Sequence, residues 1–174
     1  MGFSLYQAVV PTYLQILNST IGLVDKVEEH CKTQGIDPSE LLNARLAEDM
    51  WPFANQVYSV KHHSLGAIEG AKAGLFAPPV SELVPTDFAG LRQVLSDAHS
   101  GIQAFSEEEI NALPGKHMRF EIGSFKMEFI AEDFLLSFSQ PNFYFHATTS
   151  YAIMRHLGIS IGKLDYLGQF RKLS

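Results

Sequence analysis

The chain carries seven histidines, His30, His62, His63, His99, His117, His146 and His156, and their spacing decides what chemistry they can share. Two imidazoles four residues apart on a helix project from one face, which is how HxxxH and HExxH patterns hold a metal. Neither pattern is present, because Asn142 and Ser150 stand at those offsets from His146. His62 and His63 are adjacent, and neighbours on a helix diverge by about 100°, so the two do not easily serve one ion. Cys31 is the single cysteine, which excludes both a thiolate pair for zinc and an intrachain disulfide. No G-x-S-x-G elbow, P-loop or G-x-G-x-x-G occurs. A polar site in this chain must therefore be assembled across elements.

Two helical faces can supply one. On the last helix Asn142, His146 and Thr149 or Ser150 share a stripe with Ile153. On the second long helix Gln56 and His63 flank Val60 and Ala67, whereas His62 groups with Trp51, Asn55 and Tyr58 further round. Side-by-side packing of these helices would gather Gln56, His63, Asn142 and His146. That set offers neutral imidazole and amide oxygen, which bind a borderline metal weakly or hydrogen-bond a polar ligand. His146 and His63 are the candidate metal ligands; Gln56, Asn142, His146 and Tyr151 are the candidate ligand contacts.

Each residue also has an ordinary structural role. His146 can be a core histidine with a bonded partner, His63 a boundary residue and Gln56 a packing amide. His156 suits the C-terminal end of a helix dipole. His30 and Cys31 read as helix-end residues, and Phe143, Tyr144, Phe145 and Tyr151 as core or interface. Asp49 reads as the cap of the second long helix, and Glu132 and Asp133 as first-turn residues.

The elements that must position these groups are mostly helical. Ser4 and Gln7 form a capping box for a first helix, with Tyr13, Leu17, Ile21, Val24 and Cys31 on its apolar face. Pro11 should bend or loosen it, and it ends before Gly35. Asp37, Pro38 and Glu40 open a short helix. Pro52 opens the long second helix, whose core face is Phe53, Val57, Val60, Ser64, Ala67, Ile68 and Ala71. Gly66, Gly70 and Gly74 on it permit a close neighbour. A proline-rich connection, "LFAPPVSELVP", leads to a third long helix capped by Thr86. Ser106 and Glu109 box a further short helix, which Gly115 ends. "HMRFEIGSFKMEF" then alternates with period two about Gly123-Ser124, the pattern of a type II′ hairpin. "AEDFLLSFSQ" returns to helix, and Pro141 either starts a new helix or kinks a continuous one. The last helix ends near His156 with Gly158 beyond it, and the tail "ISIGKLDYLGQFRKLS" reads as irregular. The expectation is one mainly all-α domain over residues 1–174, with four principal helices and a small hairpin before the last.

Bulk composition narrows the function classes. Charged residues make up 18% of the 174 residues and hydrophobic ones 46%. Charge this sparse points to a large core or to surface covered by another subunit, a homodimer. The net charge is −6 and no Lys/Arg cluster occurs, which argues against nucleic acid. No apolar run reaches the roughly 18–20 residues of a membrane span, and "MGFSLYQAVV" has no basic n-region. The expected setting is cytoplasmic.

"LLNARLAEDMWPFANQV" and "PNFYFHATTSYAIMRHLGISIGKLDYLG" closely resemble a bacterial family defined as a domain of unknown function, grouped with the DinB/YfiT-like metalloenzymes. The resemblance spans nearly the whole chain. It implies a DinB-like bundle of four helices connected up-down-down-up, often dimeric. Many relatives in the wider group hold a divalent metal with three histidines, one on the second helix and an HxxxH pair on the last; some are thiol-dependent transferases. Carried onto this chain, His146 takes one last-helix position and its partner falls on Asn142 or Ser150. The second-helix position falls near Gln56 or Ser59, with His63 a turn beyond. Three readings follow. The first is a bundle with a degenerate metal site that binds a small molecule between the second and last helices. The second is a metal-dependent enzyme of transferase or hydrolase type holding zinc or nickel. The third is a structural homodimer. The missing HxxxH favours the first and third readings over the second, and the binding bundle is placed first.

Overall fold

The structure, a computed structural model, describes residues 2–78 and 83–173. Residues 79–82, in the middle of the expected proline-rich connection, lie outside the described residues.

Helix α1 runs Leu5–Gln34 and starts as its sequence dictates: the Ser4 hydroxyl accepts from the Gln7 N–H, and the Gln7 side chain accepts from the Ser4 N–H. Gly35 closes it in the left-handed conformation that only glycine adopts cheaply. Pro11 is tolerated inside this helix, with no N–H to offer the Gln7 carbonyl. The short α2, Pro38–Leu42, is capped by Asp37, whose carboxylate accepts from Ser39 N–H; Glu40 lies in its first turn.

Helix α3 occupies residues 53–73 and is not uniform. Its middle turn, His62–Gly66, is a π-helical segment between two α-helical stretches. All of Phe53, Val57, Val60, Ser64, Ala67, Ile68 and Ala71 are buried. Pro52 sits at the N-cap, just before the first turn in which the sequence places it, and Asp49 does not cap this helix. Proline's fixed backbone supplies the entry geometry, and a capping side chain three residues upstream is out of reach of the first free N–H groups.

After α3 a two-residue strand β1, Leu75–Phe76, runs parallel to a later strand; it is too short to leave a period in the sequence. Helix α4, Phe88–Gln103, is capped by Asp87, which accepts from Gly90 N–H, and not by the neighbouring Thr86. The Ser106–Glu109 box opens α5, Glu107–Asn111. Strands β2, His117–Ile122, and β3, Phe125–Ile130, pair antiparallel with Ile122 opposite Phe125. Only Gly123 in the two-residue loop has positive φ, as a type II′ turn requires. The sheet order is β1-β2-β3.

Helix α6 is continuous over residues 131–156, so Pro141 starts no new helix. A π-helical segment, Phe134–Ser139, precedes it and widens the turn where proline cannot donate. Gly158, at φ 81, follows the C-cap. The tail is not wholly irregular: Lys163–Leu167 forms α7, where Gly162 N–H donates to Asp165 at 2.6 Å and Lys26 pairs with the same carboxylate. The backbone carbonyls of Tyr166 and Leu167 accept from Ser19 and Gln15, which pins α7 to α1.

The protein is thus mainly helical: the described residues form seven helices, four of them long, and a small three-stranded sheet. The sheet's apolar face presents Phe120 and Phe129 to Phe134 and Phe138 of α6. Helix α3 lies along α6, and that contact carries the site. Among the described residues no helix is long and apolar enough to cross a membrane.

Candidate functional site

The seam between α3 and α6 opens into a cavity of about 480 Å³. Four residues that the sequence places on converging faces, Gln56, His63, Asn142 and His146, all line it. Tyr151 does not: it is half-buried a turn and a half along α6, against Tyr166.

The polar groups form two short chains that fix the histidines. Gln56 is 2% exposed. Its amide N–H donates to the Trp51 carbonyl at 3.1 Å, which orients the amide and leaves Oε1 facing His146. Oε1 only accepts, so His146 carries its proton on Nδ1 and donates it across 2.7 Å. In the second chain Ser139, fully buried, donates its hydroxyl proton to the His63 carbonyl at 3.1 Å. Its oxygen is then the acceptor for His63 Nδ1–H at 3.2 Å. Both imidazoles are thereby set as Nδ1–H tautomers with Nε2 lone pairs. Neither Nε2 has a hydrogen-bond partner among the described residues, and neither is sealed from the cavity.

The two π-helical segments explain this alignment. His63 lies in the one in α3 and Ser139 ends the one in α6, so a wide turn on each helix faces the other where the side chain of one helix meets the backbone of its neighbour. Such turns recur at functional positions. The His63 and His146 rings stack nearly parallel, 5.5 Å apart at 20°. Burial holds both neutral: His63 is pushed down to about 3, helped by its neighbours His146 and His62, and His146 to about 4.

His62 faces another way and is tied by its Nε2–H to the Ala77 carbonyl at 2.7 Å. Trp51 does not accompany it, as the helical period implied, but stacks on His146 at 5.8 Å and 13°. Trp51 precedes Pro52 and so lies outside the helix whose period would have placed it. Asp49, Phe76, Phe120, Ile122, Phe138 and Phe145 also line the cavity. Asp49 lies in the turn before Pro52, where Met50 N–H bonds the Ala47 carbonyl, and Trp51 follows it outside any regular element, so no period marked either residue. Phe120 and Ile122 belong to the inward face of the hairpin. Phe145 adjoins His146 on α6.

The sequence of residues 5–167 matches the family described as Domain of unknown function (DUF1993). The chain belongs to that family. No curated protein matches this DUF1993 chain. Its fold is similar to the crystal structure of a DinB family member protein from Shewanella denitrificans, at 26% identity and a TM-score of 0.79. That likeness covers 98% of this chain and 95% of the other.

A three-histidine metal centre does not fit this DUF1993 site. Two imidazole lone pairs are available, short of the three protein ligands a catalytic zinc centre takes. The last-helix positions that would complete the set hold no imidazole: Asn142 donates an amide N–H to the Phe138 carbonyl at 2.7 Å, and Ser150 its hydroxyl to the His146 carbonyl at 2.9 Å. Among the described residues no group of three His, Cys, Asp or Glu side chains is placed to share an ion.

Proposed function

We propose that this DUF1993 chain is a single DinB-like four-helix-bundle domain that binds a small organic molecule, without a metal, in the cavity between α3 and α6. One observation carries the reading. The Trp51–Gln56–His146 chain fixes a neutral imidazole with its Nε2 lone pair turned to an aromatic-walled space of ligand size. A few fixed polar atoms on an apolar wall are how small-molecule sites set orientation. Phe76, Phe120 and Phe138 give the ligand an apolar bed, while the two Nε2 atoms accept hydrogen bonds from its donor groups.

Trp51 is the only tryptophan, so its fluorescence, excited at the red edge where the six tyrosines hardly absorb, reports on the cavity. Phenethyl alcohol, an apolar ring with a hydroxyl donor, is the test compound. It should change Trp51 emission saturably, and His146→Leu should abolish the change while leaving helical content intact. Emission that stays flat up to solubility, with no saturation-transfer NMR signal from the alcohol, would defeat the proposal. Near-stoichiometric zinc or nickel in untagged protein, lost on His146→Ala, would defeat its metal-free part.

A homodimer accompanies this reading. Support comes from the low charge content and from apolar side chains left exposed, among them Phe3, Phe125 and Leu136. Sedimentation as a monomer at high micromolar concentration would exclude it.

A further inference from the structure

The open polar atoms on the cavity wall are mostly acceptors. His63 and His146 each spend Nδ1–H on a protein oxygen and keep a lone pair on Nε2. Asn142 spends an amide N–H on the Phe138 carbonyl and keeps Oδ1. At the mouth Asp49 adds an exposed carboxylate that has no ion-pair or hydrogen-bond partner among the described residues. Against these stand the Trp51 indole N–H and the remaining amide protons of Asn142 and Gln56, and among the described residues no Lys or Arg lines the cavity. The chain as a whole carries −6, which draws cations toward it.

The aromatic groups at the opening complete the pattern. Trp51 is 48% exposed and Phe145 54%, so each offers part of a ring to whatever enters. Ring faces attract cations, tryptophan most strongly, and the attraction grows as water is excluded. An anion entering the same space would meet a carboxylate, an amide oxygen and two imidazole lone pairs, with no cation to offset them.

Resting on the binding reading above, we infer that the cavity selects organic cations: an amine borne on an apolar body, its N–H groups donated to the wall's acceptors and its charge balanced by Asp49 and the rings of Trp51 and Phe145. The body lies against Phe76, Phe120 and Phe138. Asp49 sets the charge preference, while His63 and His146 serve neutral and charged donors alike.

Three ligands of one shape test this: phenethylamine, phenethyl alcohol and phenylpropionate, each titrated by Trp51 emission and checked by saturation-transfer NMR. Phenethylamine should bind about tenfold tighter than the alcohol, the factor expected from one partly exposed cation–π contact plus one exposed ion pair. Phenylpropionate should bind undetectably. Asp49 is on the surface, so Asp49→Asn leaves folding alone; it should bring the amine's affinity down toward the alcohol's and narrow the ratio between them. Added salt should weaken the amine and not the alcohol. Equal affinities for amine and alcohol, or tightest binding by phenylpropionate, would overturn the cation preference and leave the binding site standing. No binding by any of the three would overturn both.

Discussion

Replacing Gln56 by leucine tests the arrangement on which the site depends. The substitution keeps the apolar bulk of the side chain and deletes both of its hydrogen bonds, the one to His146 Nδ1 and the one to the Trp51 carbonyl. Gln56 is almost fully buried and His146 is only 7% exposed, so water does not readily replace what is lost. A stranded buried donor costs about 1–3 kcal/mol. For a chain of this length each kcal/mol lowers Tm by about 2–4 °C, so a loss near 2 kcal/mol gives about 4–8 °C. The imidazole has one escape: it can move its proton from Nδ1 to Nε2, which spares the donor penalty and turns the cavity-facing lone pair into an N–H. The decisive assay is therefore heteronuclear NMR of the His146 ring nitrogens beside a melting curve. Wild type should show the Nδ1–H tautomer; Gln56→Leu should show Nε2–H, with a Tm loss at the lower end of the range. A wild-type ring protonated on Nε2, or a Gln56→Leu variant with unchanged Tm and unchanged tautomer, would refute the reasoning.

Other expectations follow from the same geometry. Because folding holds His63 and His146 at about 3 and about 4, below the ordinary 6.5, the unfolded chain binds the extra protons in between. Stability from these rings is complete above about pH 6.5 and drains away as the pH falls toward their folded values. Denaturant midpoints should drop between about pH 7 and pH 4.5, and less so in His63→Asn; equal drops would contradict the assignment. Gln56→Glu places a carboxylate against His146 and should raise that ring's midpoint, measured by NMR titration, from about 4 toward neutrality. A Cβ on Gly70 would meet the Phe76 side chain at 3.0 Å and the Leu75 carbonyl at 3.1 Å. Gly70→Ala should gain about 1 kcal/mol of helix propensity and lose about 1–3 to overpacking, a net loss seen as a lower Tm. Asp87→Ala should cost about 1 kcal/mol as the cap of α4, with Thr86→Ala near neutral; the reverse order would return the cap to Thr86.

Much of this fold is written in local rules, and that part was readable. The Ser4 and Ser106 boxes, the buried stripe from Phe53 to Ala71 and the hairpin about Gly123 each depend on residues within a few positions of one another. What escaped has no local period. Strand β1 is two residues long and exists only because Gly74 and β2 lie beside it; Arg119 N–H reaches back to the Gly74 carbonyl at 3.0 Å. Helix α7 depends on docking to α1 through Ser19 and Gln15, contacts far away in the chain. The π-helical segments could not be read either. Regular periodicity averages over them, although Pro141 marked the place where α6 needed a wider turn.

The site divides along the same line, and the division bears on its chemistry. Gln56, His63, Asn142 and His146 are brought together by two regular helix faces, so their shared cavity was accessible to counting residues. Which proton each ring carries was not, because that depends on non-local acceptors: Trp51 behind Gln56, and a serine oxygen whose own proton is already committed to a backbone carbonyl. Those acceptors turn two residues that resemble fragments of a metal centre into a pair of neutral lone pairs. A third histidine added at position 142 is the direct test. Asn142→His would supply the missing HxxxH partner for His146 and break the Asn142–Phe138 link. If lack of donors is what separates this chain from a metal centre, the variant should bind zinc or nickel in calorimetry with at least tenfold gain over wild type. Its affinity for phenethyl alcohol should fall as His146 Nε2 is taken up by the metal. Equal metal affinity in wild type and variant would mean that something other than donor number governs this site.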